Sequence, residues 1–218
     1  TDTELSADFM YTRRESNQQM APQPASIMLD TSELEDGGGV TTGIASGDMP
    51  DEVEYRRRMT DAGPRIYEQE TDTYRASVGI KGYLDNDMTW DISATYGRNE
   101  SKDRVYNSIH AGNMEQSIYD HQELWLSGEP IDKAFLESEG ILYTEQNEGG
   151  NEQFILAAGL SGVTESDIGY AVGIESRYEA GYYTPDLITQ AGESTAAQQD
   201  PTDGNYAVQS IYGELSLP

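Results

Sequence analysis

From Ala76 to Gly97 the chain alternates. Ala76, Val78 and Ile80 fall on one face. After the polar knot Asp85-Asn86-Asp87, Trp90, Ile92, Ala94 and Tyr96 share a face, with Thr89, Asp91, Ser93 and Thr95 opposite. A period of two on either side of a polar turn predicts a β-hairpin. The same period runs through Glu4–Thr12 (Leu5, Ala7, Phe9, Tyr11) and Gln153–Ser161 (Phe154, Leu156, Ala158, Leu160). In Ile168–Glu179, Ile168, Tyr170, Val172 and Ile174 alternate with Gly169, Ala171, Gly173 and Glu175. In Asn205–Pro218, Ala207, Ile211, Leu215 and Leu217 share a face. A further run begins near Val53, and a longer one covers Tyr67 to Leu84. These two read as separate strands or as one strand bent at Ala62-Gly63-Pro64. Helical spacing occurs only in Gln116–Leu126 and Ile131–Glu139.

The pattern predicts an all-β fold: an antiparallel up-and-down sheet of about six strands occupying one unit, residues 1–218. Its connections alternate in length. Three long polar stretches, 18–50, 100–150 and 181–204, are separated by short turns at Asp85–Asp87 and Gly162–Ser166. Structureless loops beyond about 15 residues are uncommon in compact domains. A bacterial transmembrane barrel, by contrast, has short turns on one side and long outer loops on the other, and strands of roughly 9–11 residues. Two destinations for the apolar face therefore stand open. It meets lipid in a piece of a transmembrane β-barrel, or it meets a second sheet in a soluble β-sandwich.

Charge sharpens the picture only slightly. The 218 residues carry 40 acidic and 13 basic side chains, a net charge of −27. Such a surface excludes nucleic-acid backbone and anionic cytoplasmic leaflets as partners. The three long stretches contain five, eleven and four acids against no, three and no bases. Arg75, Lys81 and Arg177 instead fall within strands, on the polar side of the alternation. On a lipid-facing surface near the midplane a Lys or Arg costs about 2–4 kcal/mol, whereas in a wet lumen it meets water.

Residues that could carry chemistry do not assemble into a motif. There is no cysteine, so a thiolate nucleophile, a disulfide framework and a Cys-ligated zinc are all excluded. His110 and His121 have no metal-ligand spacing. Asp85-Asn86-Asp87 lacks the glycine and distal glutamate of a calcium loop. Gly37-Gly38-Gly39 is not followed by Lys-Ser or Lys-Thr, and so makes no phosphate loop. Glu137 and Glu139 are read as a chance pair rather than as glycosidase carboxylates. Trp125, near Tyr119, His121 and Leu124, either stacks on a ligand ring or packs in a local helical cluster. Arg56-Arg57-Arg58 lies in strand pattern, where neighbouring side chains take opposite faces and form no single anion clamp. No catalytic, cofactor or metal residue is expected, and the chain reads as a non-enzyme.

Six segments, taken in order, resemble the middle of the barrel of TonB-dependent outer-membrane receptors. They are YTRRESNQQMAPQP (Tyr11–Pro24), RRRMTDAGPRIYEQETDTYRASVGIKG (Arg56–Gly82) and WDISATYGRN (Trp90–Asn99), followed by GGNEQFILAAGLSG (Gly149–Gly162), GYAVGIESRYEAGYYTPD (Gly169–Asp186) and PTDGNYAVQSIYGELSLP (Pro201–Pro218). The resemblance touches the strands and leaves the long loops largely uncovered. It implies the outer membrane of a Gram-negative bacterium and an active transporter or receptor for a scarce ligand such as a siderophore, cobalamin or an oligosaccharide. It implies as partners the TonB system and a plug domain in the full-length protein, together with outer-membrane lipid. The chain departs from the family pattern in three ways. No TonB box or plug is recognisable, six strands are fewer than the eight of the smallest barrels, and Glu100–Gly150 lacks the cysteine pair of close relatives. The expectation is thus a barrel fragment that self-associates when isolated. Under the other reading the chain is a secreted acidic β-domain binding carbohydrate or a protein.

The lipid reading also assigns faces. Ala76, Val78, Ile80, Ile92, Ala94, Leu156, Ala158, Tyr170 and Val172 lie outward on one continuous sheet. Arg75, Lys81, Asp91, Ser93, Gly173 and Arg177 line the other side. A register slip of one residue exchanges the two sets.

Overall fold

A computed structural model describes residues 3–34, 50–84 and 88–217. Among these residues eight strands form two antiparallel sheets. The larger contains β1 (Thr3–Met20), β4 (Arg65–Tyr83), β5 (Thr89–Ile109), β6 (Leu142–Val163), β7 (Gly169–Thr184) and β8 (Thr202–Ser216), in that spatial order. The smaller is the pair β2 (Pro24–Asp30) and β3 (Glu52–Arg58). Each large-sheet strand pairs with its neighbour along nearly its full length. The fold is all-β and antiparallel, and the large sheet is open: β1 and β8 each have one unpaired edge among the described residues.

Strand length differs most from the sequence expectation. β1 continues to Met20, β5 to Ile109, and β6 begins at Leu142. The stretches 18–50 and 100–150 are therefore not loops throughout. Where they extend β1, β5 and β6 these stretches are largely polar on both faces, so they carry little hydrophobic period there. They are held instead by cross-strand pairs such as Lys102–Glu148 at 3.6 Å. The run near Val53 is a strand of its own. Thr60–Ala62 forms a 3₁₀ turn, and Gly63 at φ +81° redirects the chain before β4. Asp85–Asp87 and Gly37–Gly39 lie outside the described residues.

All three long connections leave from the same end of the sheet, and their folded parts build a cap there. α1 (Ala111–Asp120) is capped by His110, whose Nδ1 accepts from the Asn113 N–H at 3.3 Å. α2 (Gln122–Leu126) follows, then α3 (Lys133–Ser138), where Asp132 accepts from the Ala134 N–H at 3.0 Å. α3 ends in a Schellman turn. Gly140 at φ +66° donates to the Glu137 carbonyl, and Ile141 donates to that of Leu136. Both Leu136 and Ile141 are fully buried, which supplies the hydrophobic contact this turn favours. α4 (Leu187–Gln190) is capped by Asp186, which accepts from the Ile188 N–H at 2.9 Å.

The hydrophobic core sits in this cap. Met114 and Ile118 of α1 face Ala25, Ile27 and Leu29 of β2, with Met59, Trp125, Leu136 and Ile141 completing the cluster. Among the described residues every buried apolar side chain except Val105 belongs to it. Trp125 is the anchor. Its indole N–H donates to Ser117 Oγ at 3.1 Å, Tyr55 packs edge-on at 6.3 Å, and the Arg57 guanidinium lies 6.0 Å above the ring. Arg57 is itself paired with Asp61 at 2.8 Å. A bulge in β5 between Val105 and Ser108, with Asn107 at φ +61°, shifts the alternation by one residue. Ile109 thereby shares a face with Leu142, and both join the cap core.

Candidate functional site: an uncovered apolar band and a polar face

Register and alternation place the two sequence-assigned sets on opposite faces of the large sheet. Leu5, Ile80, Ile92, Ala158, Ile174 and Ile211 stand in one cross-strand row. Ala7, Val78, Ala94 and Leu156 lie in the next row on that face, which the polar Ser176 and Gln209 continue on β7 and β8, and Gly82, Trp90, Leu160 and Val172 lie in the one beyond. Arg75, Lys81, Asp91, Ser93, Gly173 and Arg177 share the other face. The apolar rows form a transverse band. Among the described residues nothing covers it: Val78, Ile92, Leu156 and Val172 are 46–47 % exposed, and Ile211 on the edge strand 84 %. The second sheet does not pack there, because the buried side chains of β2 face the cap core.

Aromatic residues mark both borders of the band. Tyr11, Tyr74, Tyr96, Phe154 and Tyr178 line the border toward the cap, and Trp90 and Tyr170 the border toward the short turns. The tyrosine hydroxyls reach out of the band. Tyr11 donates to Asp72 at 2.7 Å and Tyr96 to Glu152 at 3.0 Å. Each ring thus lies with the apolar rows while its hydroxyl bonds to a carboxylate beyond them. On the capward side the same face turns largely polar, with Arg98 and Glu100 paired at 2.5 Å. On β4 the band covers nine residues, Tyr74 to Gly82. The capward border steps two residues toward the turns between the Tyr11–Tyr74 pair and the Tyr96–Phe154–Tyr178 row. The band therefore runs obliquely to the hydrogen-bond direction, as it does where strands tilt.

The opposite face is mainly polar, with Ile155 and Val208 flanking Arg177 as exceptions. One row carries Met10, Arg75, Gly97, Gln153, Glu179 and Tyr206, and the next Thr12, Thr73, Asn99, Asn151, Gly181 and Gly204. Toward the cap, burial and the nearby Asp103 carboxylate raise the Tyr67 hydroxyl above its ordinary range. Burial likewise raises that of Tyr143, a half-buried residue facing the 185–195 segment.

The remaining sequence candidates are dispersed. His110 caps α1 and lies 3.3 Å from Glu193, while His121 packs edge-on against Phe135 and lies 3.7 Å from Glu139. Glu137 and Glu139 belong to the α3 surface and its end. Trp125 packs in the cap rather than in an open cleft. Arg56 pairs with Glu54 and Arg57 with Asp61, so the arginine triplet is divided between partners. Sequence reasoning missed the Arg75–Asn99–Asn151–Gln153 patch, whose only signal was that these four positions fall on one side of the alternation. No protein-family model, curated protein or solved structure matches this chain.

Proposed function

We propose that this chain forms a sector of the wall of an outer-membrane β-barrel belonging to an active transporter or receptor in a Gram-negative bacterium. The observation that carries the reading is the band: apolar side chains from six adjacent strands, aligned on one face, uncovered, and bordered by aromatic residues whose hydroxyls turn toward charge. In water, exposed apolar area of this extent is unfavourable by about 25 cal/mol per Å². In a bilayer it is what the solvent requires. The mainly polar opposite face suits a wet lumen, and the cap, gathered at one end, suits the outer side where a ligand first arrives. Both sheet edges need partners in hydrocarbon, because an unsatisfied backbone group there costs several kcal/mol. Further strands of a larger barrel supply them. In such a receptor, energy from the TonB system moves a plug to admit a siderophore, cobalamin or an oligosaccharide.

The two tryptophans provide the test. Trp90 lies on the band and Trp125 in the cap core. After refolding into vesicles of brominated-acyl phospholipid, Trp125→Phe, which keeps Trp90, should lose most of its fluorescence. Trp90→Phe, which keeps Trp125, should not. An unquenched Trp90 would overturn the membrane reading and favour a soluble domain. The transport part is checked by disrupting the gene in its host and measuring energised uptake of ferric siderophore, cobalamin and oligosaccharide. Unchanged uptake of all three would overturn it.

A further inference from the structure

The polar face holds a groove of about 330 Å³ at the level of the capward aromatic border, lined in part by Thr73, Arg75, Asn99, Asn151, Gln153 and Glu179. Its floor is Gly97, where an added Cβ would meet only the Tyr74 carbonyl oxygen at 3.9 Å. The missing side chain opens the row between Arg75 and Gln153. The volume lies within the range of small-ligand sites.

Hydrogen-bonding capacity distinguishes this groove from a merely wet wall. Asn99 donates to Thr73 Oγ1 at 2.8 Å, and Gln153 donates to Glu179 Oε1 at 2.9 Å. Among the described residues the side-chain carbonyls of Asn99 and Gln153 accept nothing, and the Asn151 amide makes no side-chain hydrogen bond. Glu179 is also held by Tyr206 and lies 3.5 Å from Arg177. Among the described residues the Arg75 side chain has no ion pair and no hydrogen bond, although acids outnumber bases 40 to 13 in this chain. Its nearest acidic row-mate, Glu179, is engaged by three other residues. The groove thus presents one free guanidinium fork, one free carboxamide and two free amide carbonyls. A guanidinium fork matches a carboxylate, and amides match hydroxyls.

We propose that this groove binds a carboxylate-bearing, hydroxyl-rich ligand, with Arg75 taking the carboxylate and Asn99, Asn151 and Gln153 the hydroxyls. The proposal rests on the wall reading, under which this face lines the lumen below the cap. Two sources supply such chemistry: a uronic-acid oligosaccharide and a ferric α-hydroxycarboxylate complex.

The test is calorimetric titration of the lipid-refolded chain with tetragalacturonate, ferric dicitrate and the neutral maltotetraose. At least one of the two anionic probes should bind, and more tightly than maltotetraose. Arg75→Gln should weaken that binding about ten- to a hundredfold, the worth of a charge-assisted hydrogen bond, and leave maltotetraose unchanged. Arg104→Gln, on the opposite face, should change nothing. Binding of one anionic probe alone, with the same Arg75 dependence, supports the proposal and assigns its source. Failure of both anionic probes, equal binding of the neutral sugar, or indifference to Arg75→Gln overturns it. If these results appear while Trp90 is quenched by brominated lipid, the groove assignment fails and the wall reading survives.

Discussion

Replacing Ile92 with arginine separates the two possible environments of the band by sign and size. Ile92 lies in the middle row, four residues from both Tyr96 on β5 and Met88 just before it, and is 46 % exposed. Four residues correspond to about 13 Å of strand, or roughly 10 Å of depth at a barrel tilt near 40°. An arginine there reaches the headgroups only by stretching. In a bilayer Ile92→Arg should cost about 2–4 kcal/mol, a 30- to 1000-fold change in the unfolding constant. In water the same exposed substitution should stay within about 0.5 kcal/mol. Ser93→Arg is the control. It moves the charge one residue along the chain and to the polar face, in the row of Gly79, Ala157 and Glu175, and its cost should be close to zero in both media. Urea titrations of the vesicle-refolded chain, followed by far-ultraviolet circular dichroism, measure the difference. Equal losses for the two variants in lipid would refute the facing assignment, and a large loss for Ile92→Arg in plain buffer would show that the band is buried against protein.

Further outcomes follow from the cap and the band border. Ile118→Ala removes a fully buried side chain and should destabilise the cap by about 2–5 kcal/mol, read as a red shift of Trp125 emission in the Trp90→Phe background. Ser117→Ala strands the buried Trp125 N–H and should cost about 1–3 kcal/mol by the same measurement. The Asp30 carboxyl is held below its ordinary range by Ser32, and the Glu54 carboxyl by Arg56 and Ser26. Their contribution is therefore present above the ordinary carboxylate range and lost as pH falls through it and below, so the cap should unfold more readily in acid than at neutral pH; unchanged urea midpoints between pH 7 and pH 3 would contradict this. Gly82→Val places a side chain where the Trp90 ring now lies, since even a Cβ would sit 2.6 Å from it, and should alter the near-ultraviolet dichroism of Trp90 without unfolding the sheet.

The sequence was most legible where one face met a uniform environment. Phe154, Leu156, Ala158 and Leu160 alternate without a break, and their strand and facing follow from that alone. Beyond Asn99 both faces are largely polar, so period carries little information; only pairing between Arg98–Ile109 and Leu142–Glu152 extends the strands there. β2 had a readable signal, since Ala25, Ile27 and Leu29 alternate and are buried. It was obscured by the long polar composition on its C-terminal side. The groove was hidden for another reason. Arg75, Asn99, Asn151 and Gln153 are brought together by register between three strands, with 51 residues separating Asn99 from Asn151 in a chain whose intervening segment forms the cap.

The bulge at Asn107 bears on how such a chain tolerates insertions and deletions. Within the band, gaining or losing a single residue would rotate every later side chain of that strand to the wrong side, so length there can change only in pairs. β5 accommodates its one odd residue after the band has ended and just before the chain enters the cap. Past that point length is free, because side chains there are sorted by a compact core rather than by a period of two. Drift in length among relatives should therefore collect between Asn107 and Leu142 and in the other capward connections. New ligand preferences could then arise by trial at the cap without disturbing the frame of the wall.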